Sequence, residues 1–324
     1  MTMTPEQASW FASTSERLVE NVRQAVLGKD EVIRLVLAAM LADGHVLLED
    51  APGTGKTSLA KSIAATVHGT HSRIQFTPDL LPSDVTGVTI YDQKVGAFEF
   101  HRGPIFASIV LADEINRASP KTQSALLEVM EESKITVDGT TYDVGRPFLV
   151  IATQNPIEQA GTYKLPEAQL DRFLIKTSLG YPDLASTELI LASSADRNRA
   201  SHLAAIITTQ AVAEMAELAS TVHVDSAVLR YTAQLAEETR NASETRLGVS
   251  VRGALAMIRI AKVWAAMQAR NFVLPDDIKA LAQPVWLHRF LLDPEAEFSG
   301  ATSASVLSRV LADVAAPQAR QAAA

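Results

Sequence analysis

Cysteine is absent from the 324 residues, so the chain can hold neither a disulfide scaffold nor a thiolate metal site. Long apolar runs are absent too: no stretch approaches the ~20 residues that a membrane-spanning helix needs. The first residues, Met1 to Ser15, are polar and lack the charged start and apolar core of a signal peptide. Together these absences predict a cytoplasmic protein. Positive charge is in deficit: 29 Lys and Arg against 37 Asp and Glu leave a formal net charge of −8. That balance argues against bulk attraction to nucleic acid, while leaving open a local basic channel in an assembly. The seven His residues are scattered without metal-ligand spacing and predict no His metal site. What is present is a chain with 47% hydrophobic residues, long enough for one large or two medium domains with real cores.

The stretch that organises this chain is Glu49-Asp50-Ala51-Pro52-Gly53-Thr54-Gly55-Lys56-Thr57-Ser58. The apolar run Val46-Leu47-Leu48 before it predicts a buried strand, and Ser58 to Ala64 after it carries apolar residues at helical spacing. Strand, glycine-rich loop and helix start are what a phosphate-binding loop needs, because successive N–H groups at a helix N-terminus can cradle phosphate oxygens. Pro52, Gly53, Thr54, Gly55, Lys56, Thr57 and Ser58 are therefore the predicted nucleotide-binding residues, with Gly28 in the turn Val26–Asp30 added to them. Lys56 would reach the β- and γ-phosphates, and the Thr57 hydroxyl would ligate Mg²⁺. Asp50 stands where the usual pattern begins with Gly. The expectation is that it faces away from the phosphates and caps N–H groups of the loop itself.

Two helices, Glu6 to Val26 and Glu31 to Ala42, are predicted before the loop. After it come a short strand at Arg73–Phe76, a hairpin from Val88 to Phe100 and an apolar strand at Ala107–Glu114. Ser119-Pro120 opens a helix with Ser as N-cap and Pro at the first position. Lys134–Val144 around Asp138-Gly139 is a second hairpin, Phe148–Thr153 a buried strand, and Phe173–Leu179 a last strand. Strands separated by helical stretches imply a parallel sheet covered on both faces. Composition changes near Tyr181-Pro182-Asp183, beyond which the chain is Ala-rich and helical with no predicted strand. The predicted division is residues 1–182 as an α/β core and 183–324 as a helical domain, with a frayed tail from Ala315.

A phosphate loop alone says nucleotide; Asp113-Glu114 at the end of an apolar strand says hydrolysis. One carboxylate can hold the Mg²⁺ shell, directly or through water, and the other can orient and deprotonate an attacking water. Asn155, just past the next buried strand, can hydrogen-bond that water or the γ-phosphate, although Asn-Pro is also a common turn.

Together these features resemble the AAA+ ATPases. Gly161–Phe173, Asp113–Ala118 and Ala152-Thr153-Gln154-Asn155-Pro156 resemble the MoxR branch of that superfamily. The resemblance implies a three-layer P-loop domain with a parallel central sheet and two inserted hairpins, followed by a small all-α lid. It makes Lys56 and Thr57 the Walker A end, Asp113 and Glu114 the Walker B pair, and Asn155 the first sensor. It assigns Arg172 as an arginine finger acting on a neighbouring subunit's nucleotide. Arg252, after Ser250-Val251, resembles the second sensor, with Arg246 and Arg259 as neighbours that could be confused with it.

The function implied is Mg²⁺-dependent ATP hydrolysis in a homo-oligomeric ring, a hexamer. Its role would be chaperone-like: maturing partner proteins or inserting their cofactors, alongside a protein with a von Willebrand factor A-type domain. Two other classes stay in view. One is a nucleic-acid motor, against which the acidic balance counts; the other is a scaffold that binds ATP without turning it over, against which the complete acid-base set counts.

Overall fold

The computed structural model describes residues 2–94, 96–156, 161–192 and 199–317. In chain order the elements are α1 (Pro5–Arg23), α2 (Asp30–Leu41), β1 (Val46–Glu49), α3 (Lys56–Thr66), β2 (His71–Gln75), α4 (Pro82–Thr86), β3 (Gly87–Asp92) and β4 (Ala97–Arg102). Then come β5 (Ile109–Asp113), α5 (Pro120–Glu132), β6 (Lys134–Val137), β7 (Thr140–Asp143), β8 (Leu149–Gln154), α6 (Glu167–Leu170), β9 (Ile175–Thr177) and α7 (Leu184–Ala192). The remainder holds α8 (Thr209–Ser220), α9 (Ser226–Asn241), β10 (Thr245–Leu247), α10 (Val251–Met267), α11 (Pro275–Trp286), β11 (Leu291–Leu292), α12 (Pro294–Phe298) and α13 (Ser303–Asp313). The chain divides into two compact units. One comprises Ser15–Phe173 with Thr177–Met215; the other takes the residues up to Thr14, Leu174–Lys176 and the chain from Ala216 onward.

Strands β1, β2, β5 and β8 of the first unit stand in a five-stranded sheet of order β2-β5-β8-β1-β9. The β2–β5, β5–β8 and β8–β1 pairings are all parallel, as the alternation of strands and helices predicts. Every residue of β5 is buried, and so are five of the six in β8, the condition of central strands covered on both faces. Leu47, Val110, Ala112, Val150 and Ala152 from the strands pack with Leu126, Leu127 and Met130 of α5. Helix α5 begins where Ser119-Pro120 predicts: Ser119 Oγ accepts the Thr122 N–H at 3.3 Å, and Pro120 takes the first position. His45, fully partnered in the core, ties two layers together: its Nδ1 accepts the Val150 N–H at 3.1 Å and its Nε2 meets the Met130 carbonyl at 2.9 Å. Those partners fix the neutral tautomer with hydrogen on Nε2.

The two hairpins interrupt the order of strands and helices where the resemblance places them. β3 and β4 pair antiparallel between β2 and β5, and β6 and β7 pair antiparallel between α5 and β8. They touch through Phe100 and Tyr142, whose rings stack with centroids 4.3 Å apart.

The second unit is helical, but not wholly so. β10 and β11 pair antiparallel, a correction to the expectation of no strand beyond Tyr181. Strands of three and two residues are too short for any alternating pattern to announce them. The core of this unit holds Trp286, whose indole Nε1 donates to the Gly253 carbonyl at 3.0 Å. The Arg270–Asp277 fork, at 2.6 and 2.7 Å, ties the end of α10 to the start of α11. The expected frayed tail from Ala315 falls mostly on residues 318–324, outside the described residues.

Candidate active site

The loop from Asp50 to Gly55 leaves the buried strand β1 and ends at the first turn of α3. Gly53 and Gly55 both have positive φ, 84° and 95°. A Cβ at either would meet no atom within 4 Å, so glycine is needed here for backbone conformation and not for space. Gly55 is the N-cap of α3 and makes no side-chain capping bond, which leaves the first-turn N–H groups pointing at the cleft. Lys56 Nζ folds back over the loop and lies 3.4 Å from the carbonyls of Asp50 and Ala51.

A cleft of about 420 Å³ opens above the loop, lined by Pro52, Gly53, Thr54, Gly55, Lys56, Thr57, Ser58, Arg73, Gln75, Asp113 and Glu114. The loop residues from Pro52 to Ser58 and the carboxylate pair Asp113 and Glu114, 55 to 62 positions apart in the chain, thus share one cavity.

The pair is held by residues that the strand pattern brings into line. Thr153, fully buried in β8 beside β5, donates from Oγ1 to Asp113 Oδ1 at 2.6 Å and accepts the Glu114 N–H at 2.9 Å. One hydroxyl therefore fixes the Asp113 carboxylate and the Glu114 backbone. Arg73 Nη2 meets Asp113 Oδ2 at 2.6 Å and Gln75 Oε1 at 2.8 Å. Gln75 Nε2 donates to Glu114 Oε2 at 2.9 Å, and Arg117 pairs with the same oxygen at 3.1 Å. Glu114 itself adopts a left-handed backbone, φ 58° and ψ 49°, a conformation that β-carbon-bearing residues adopt at a cost.

Asp50 corrects one expectation. Its carboxylate does face away from the cleft, but it does not cap the loop. It is buried and accepts from Ser178 Oγ, Leu179 N–H and Gly180 N–H at 2.7, 2.7 and 2.8 Å. The turn after β9 leaves these donors unpaired beside β1, and a carboxylate satisfies three of them better than local loop groups would.

The other candidates are spread out. Asn155 lies one residue beyond β8 and is not among the residues that line the cleft. Arg172, past α6, donates to the Leu127 carbonyl at 2.6 Å and pairs with Glu131 at 3.1 Å, away from its own chain's cleft. Gly28 lines a separate opening of about 520 Å³ with Glu20, Arg23, Gln24, Leu27, Ser186 and Leu189. Arg252 stands in the first turn of α10, in the second unit, after the N-cap Ser250, whose Oγ accepts the Gly253 N–H at 3.0 Å.

A divalent cation fits what the cleft offers. Thr57 and Asp113 supply oxygen donors, and among the described residues no cluster of three or more His, Cys, Asp or Glu forms a metal cage. A sparse oxygen set suits Mg²⁺, which takes one or two protein ligands and fills its shell with phosphate oxygens and water.

Comparison with known proteins decides the family. The profile of the "ATPase family associated with various cellular activities (AAA)" matches residues 45–175, and that of the "AAA lid domain" matches residues 237–310. Chaperone MoxR1 of Mycobacterium tuberculosis is 39% identical over 315 residues, covering 94% of this chain and 83% of that protein. The chain belongs to the MoxR family of AAA+ ATPases. Protein YeaC of Bacillus subtilis, described as uncharacterized, is 45% identical over 306 residues, 94% of this chain and 96% of that one. A crystal structure from Cytophaga hutchinsonii, described as that of a presumed ATPase, superposes with a TM-score of 0.90 at 37% identity, covering 97% of this chain and 98% of that one. The MoxR membership fits the architecture already described: a parallel central sheet, two hairpins and a helical lid region.

Sequence reasoning missed Arg73, Gln75 and Thr153. The signal for the first two was present: they alternate on β2, whose parallel register places Gln75 opposite Asp113, so both side chains fall on the face that serves the acids. Thr153 carried none, since a Thr in a buried apolar strand reads as core.

Proposed function

We propose that this MoxR-family chain hydrolyses ATP to ADP and phosphate in a Mg²⁺-dependent reaction, within a homo-oligomeric ring, a hexamer. The observation that carries the reading is the shared cleft: Lys56 and Thr57 open it on one side, and Asp113 and Glu114 close it on the other. The N–H groups of residues 53–57 and the Lys56 ammonium bind the phosphates, and Gly28 belongs to the nucleotide-binding set. Thr57 and Asp113 hold Mg²⁺, which supplies charge stabilisation on the transferred phosphoryl group. Glu114 takes a proton from water as its oxygen bonds to the γ-phosphorus and the bond to the β–γ bridging oxygen breaks. Asn155 orients that water, Arg172 reaches the neighbouring chain's γ-phosphate, and Arg252 reports nucleotide state to the lid.

In this reading residues 1–182 handle nucleotide and 183–324 move as the lid. The work is chaperone-like, in the cytoplasm, on a protein client and with a partner that carries a von Willebrand factor A-type domain. The name of the Mycobacterium relative supports the chaperone role; the partner rests on family resemblance.

The test is Glu114→Gln, assayed for phosphate release and for binding of a fluorescent ATP analogue. Binding persists and turnover falls by about 10²–10⁴-fold, the range for a positioned general base. Turnover above a tenth of the parent rate would place the base elsewhere.

A further inference from the structure

Both oxygens of Asp113 are already engaged. Thr153 holds Oδ1 and Arg73 holds Oδ2, each at 2.6 Å. The two partners differ in freedom: Thr153 is fully buried, whereas the Arg73 side chain is 49% exposed at the cleft and the Asp113 side chain only 12%. A buried carboxylate without a counter-charge is costly, and a guanidinium at the cleft edge meets that need without a metal. Two cations on the same oxygen repel one another, so each weakens the other's hold on it. A divalent ion bound at about 2.1 Å from that oxygen would lie within about 5 Å of the guanidinium nitrogen 2.6 Å from it, close enough for strong repulsion.

We propose that Arg73 is a positioning residue, the resident counter-cation of Asp113, and that the nucleotide-loaded cleft accepts a divalent ion only as Arg73 lets that carboxylate go. The inference rests on the nucleotide and Mg²⁺ reading of the cleft given above. Displacement is energetically feasible: a half-exposed ion pair contributes no more than about a fivefold factor in an equilibrium constant. The exchange also reaches Glu114, because the Arg73 nitrogen that leaves Asp113 is the one that holds the Gln75 carbonyl oxygen, and the Gln75 amide holds Glu114.

The experiment measures the Kd of a fluorescent ADP analogue, which is not turned over, in EDTA and in saturating Mg²⁺. The ratio of the two constants is the coupling between cation and nucleotide, and effects of a substitution that act equally in both conditions cancel from it. Arg73→Gln raises this ratio about three- to fivefold over the parent, because the ion no longer has to displace an arginine. Arg73→Lys, which keeps the charge, stays within about twofold. Arg73→Met replaces Gln if circular dichroism shows the Gln variant unfolded. A ratio that is unchanged or smaller in the neutral variant overturns the proposal. Asp113→Asn separates the two layers: it must abolish the Mg²⁺ effect in the parent. If it does not, the reading of the cleft fails and takes the proposal with it. If it does and Arg73→Gln changes nothing, only the proposal falls.

Discussion

The carboxylate of Asp50 holds the backbone N–H of Leu179, 129 residues further along the chain, at 2.7 Å. The first residue of the phosphate loop is thereby pinned to the turn that follows β9, and Lys29 steadies the same turn by donating to the Tyr181 carbonyl at 2.7 Å. The acid at this position ties the phosphate loop to that turn.

Asp50→Gly leaves the buried Leu179 N–H and its neighbours without an acceptor, so it lowers unfolding stability by about 1–3 kcal/mol, read by urea titration. Nucleotide affinity changes by less than tenfold, about 1.4 kcal/mol, because the carboxylate never faced the cleft. A gain in affinity beyond tenfold would show that Asp50 repels phosphate after all.

Thr153→Val keeps the shape of a fully buried side chain and deletes the hydroxyl that serves both acids. Phosphate release falls by about tenfold or more while ATP-analogue affinity stays within a few-fold, the signature of a group that orients the reacting residues. Equal losses in binding and turnover would mean that Thr153 shapes the whole cleft.

Arg172→Ala binds ATP and does not turn it over, and Lys56→Ala does neither. Mixed together they regain activity, because some interfaces then pair an intact loop with an intact arginine. Turnover per chain also rises with protein concentration as rings assemble. Recovery is read by phosphate release in mixtures shown by native mass spectrometry to co-assemble. A protein that stays monomeric and fully active at every concentration would remove the ring from the mechanism.

Glu244 and Arg309 form a fork with two contacts of 2.7 Å. The arginine's hydrogen bonds come first among the causes that pull the Glu244 carboxyl from 4.5 down to about 2. A depressed folded value means that the stabilisation is fully present above pH 4.5 and is lost as pH falls towards 2. Arg309→Ala removes it at neutral pH. The difference in urea midpoint between parent and variant therefore shrinks steadily between those two values, and a difference that persists at pH 2 would mean that packing of the arginine stem, not charge, stabilises the pair.

The parts of the fold that follow from local chemistry were legible. Val46-Leu47-Leu48 before a glycine loop, Ser119-Pro120 before a helix and Asp138-Gly139 between alternating segments each state their structure within a few residues. The placement of Lys56, Thr57, Asp113 and Glu114 in one cleft was legible for the same reason, since they lie at or just past the carboxyl ends of β1 and β5 in one parallel sheet. The supporting residues were not. Asp50 finds its partners 128 to 130 residues away, a distance over which no local pattern operates. Thr153 acts through a neighbouring strand, and its role appears only once the register of β5 and β8 is known. Arg172 was readable as a residue but not as a conformation: its bonds to Leu127 and Glu131 depend on how the chain past α6 returns to α5.

With Glu114 as the proposed general base, its left-handed backbone sets stability and turnover against each other at a single position. Holding a residue other than glycine there costs on the order of 1 kcal/mol, and Gly or Asn would relieve it. A selection that scores only resistance to heat would therefore drift towards a glycine at this site and discard the carboxylate unnoticed.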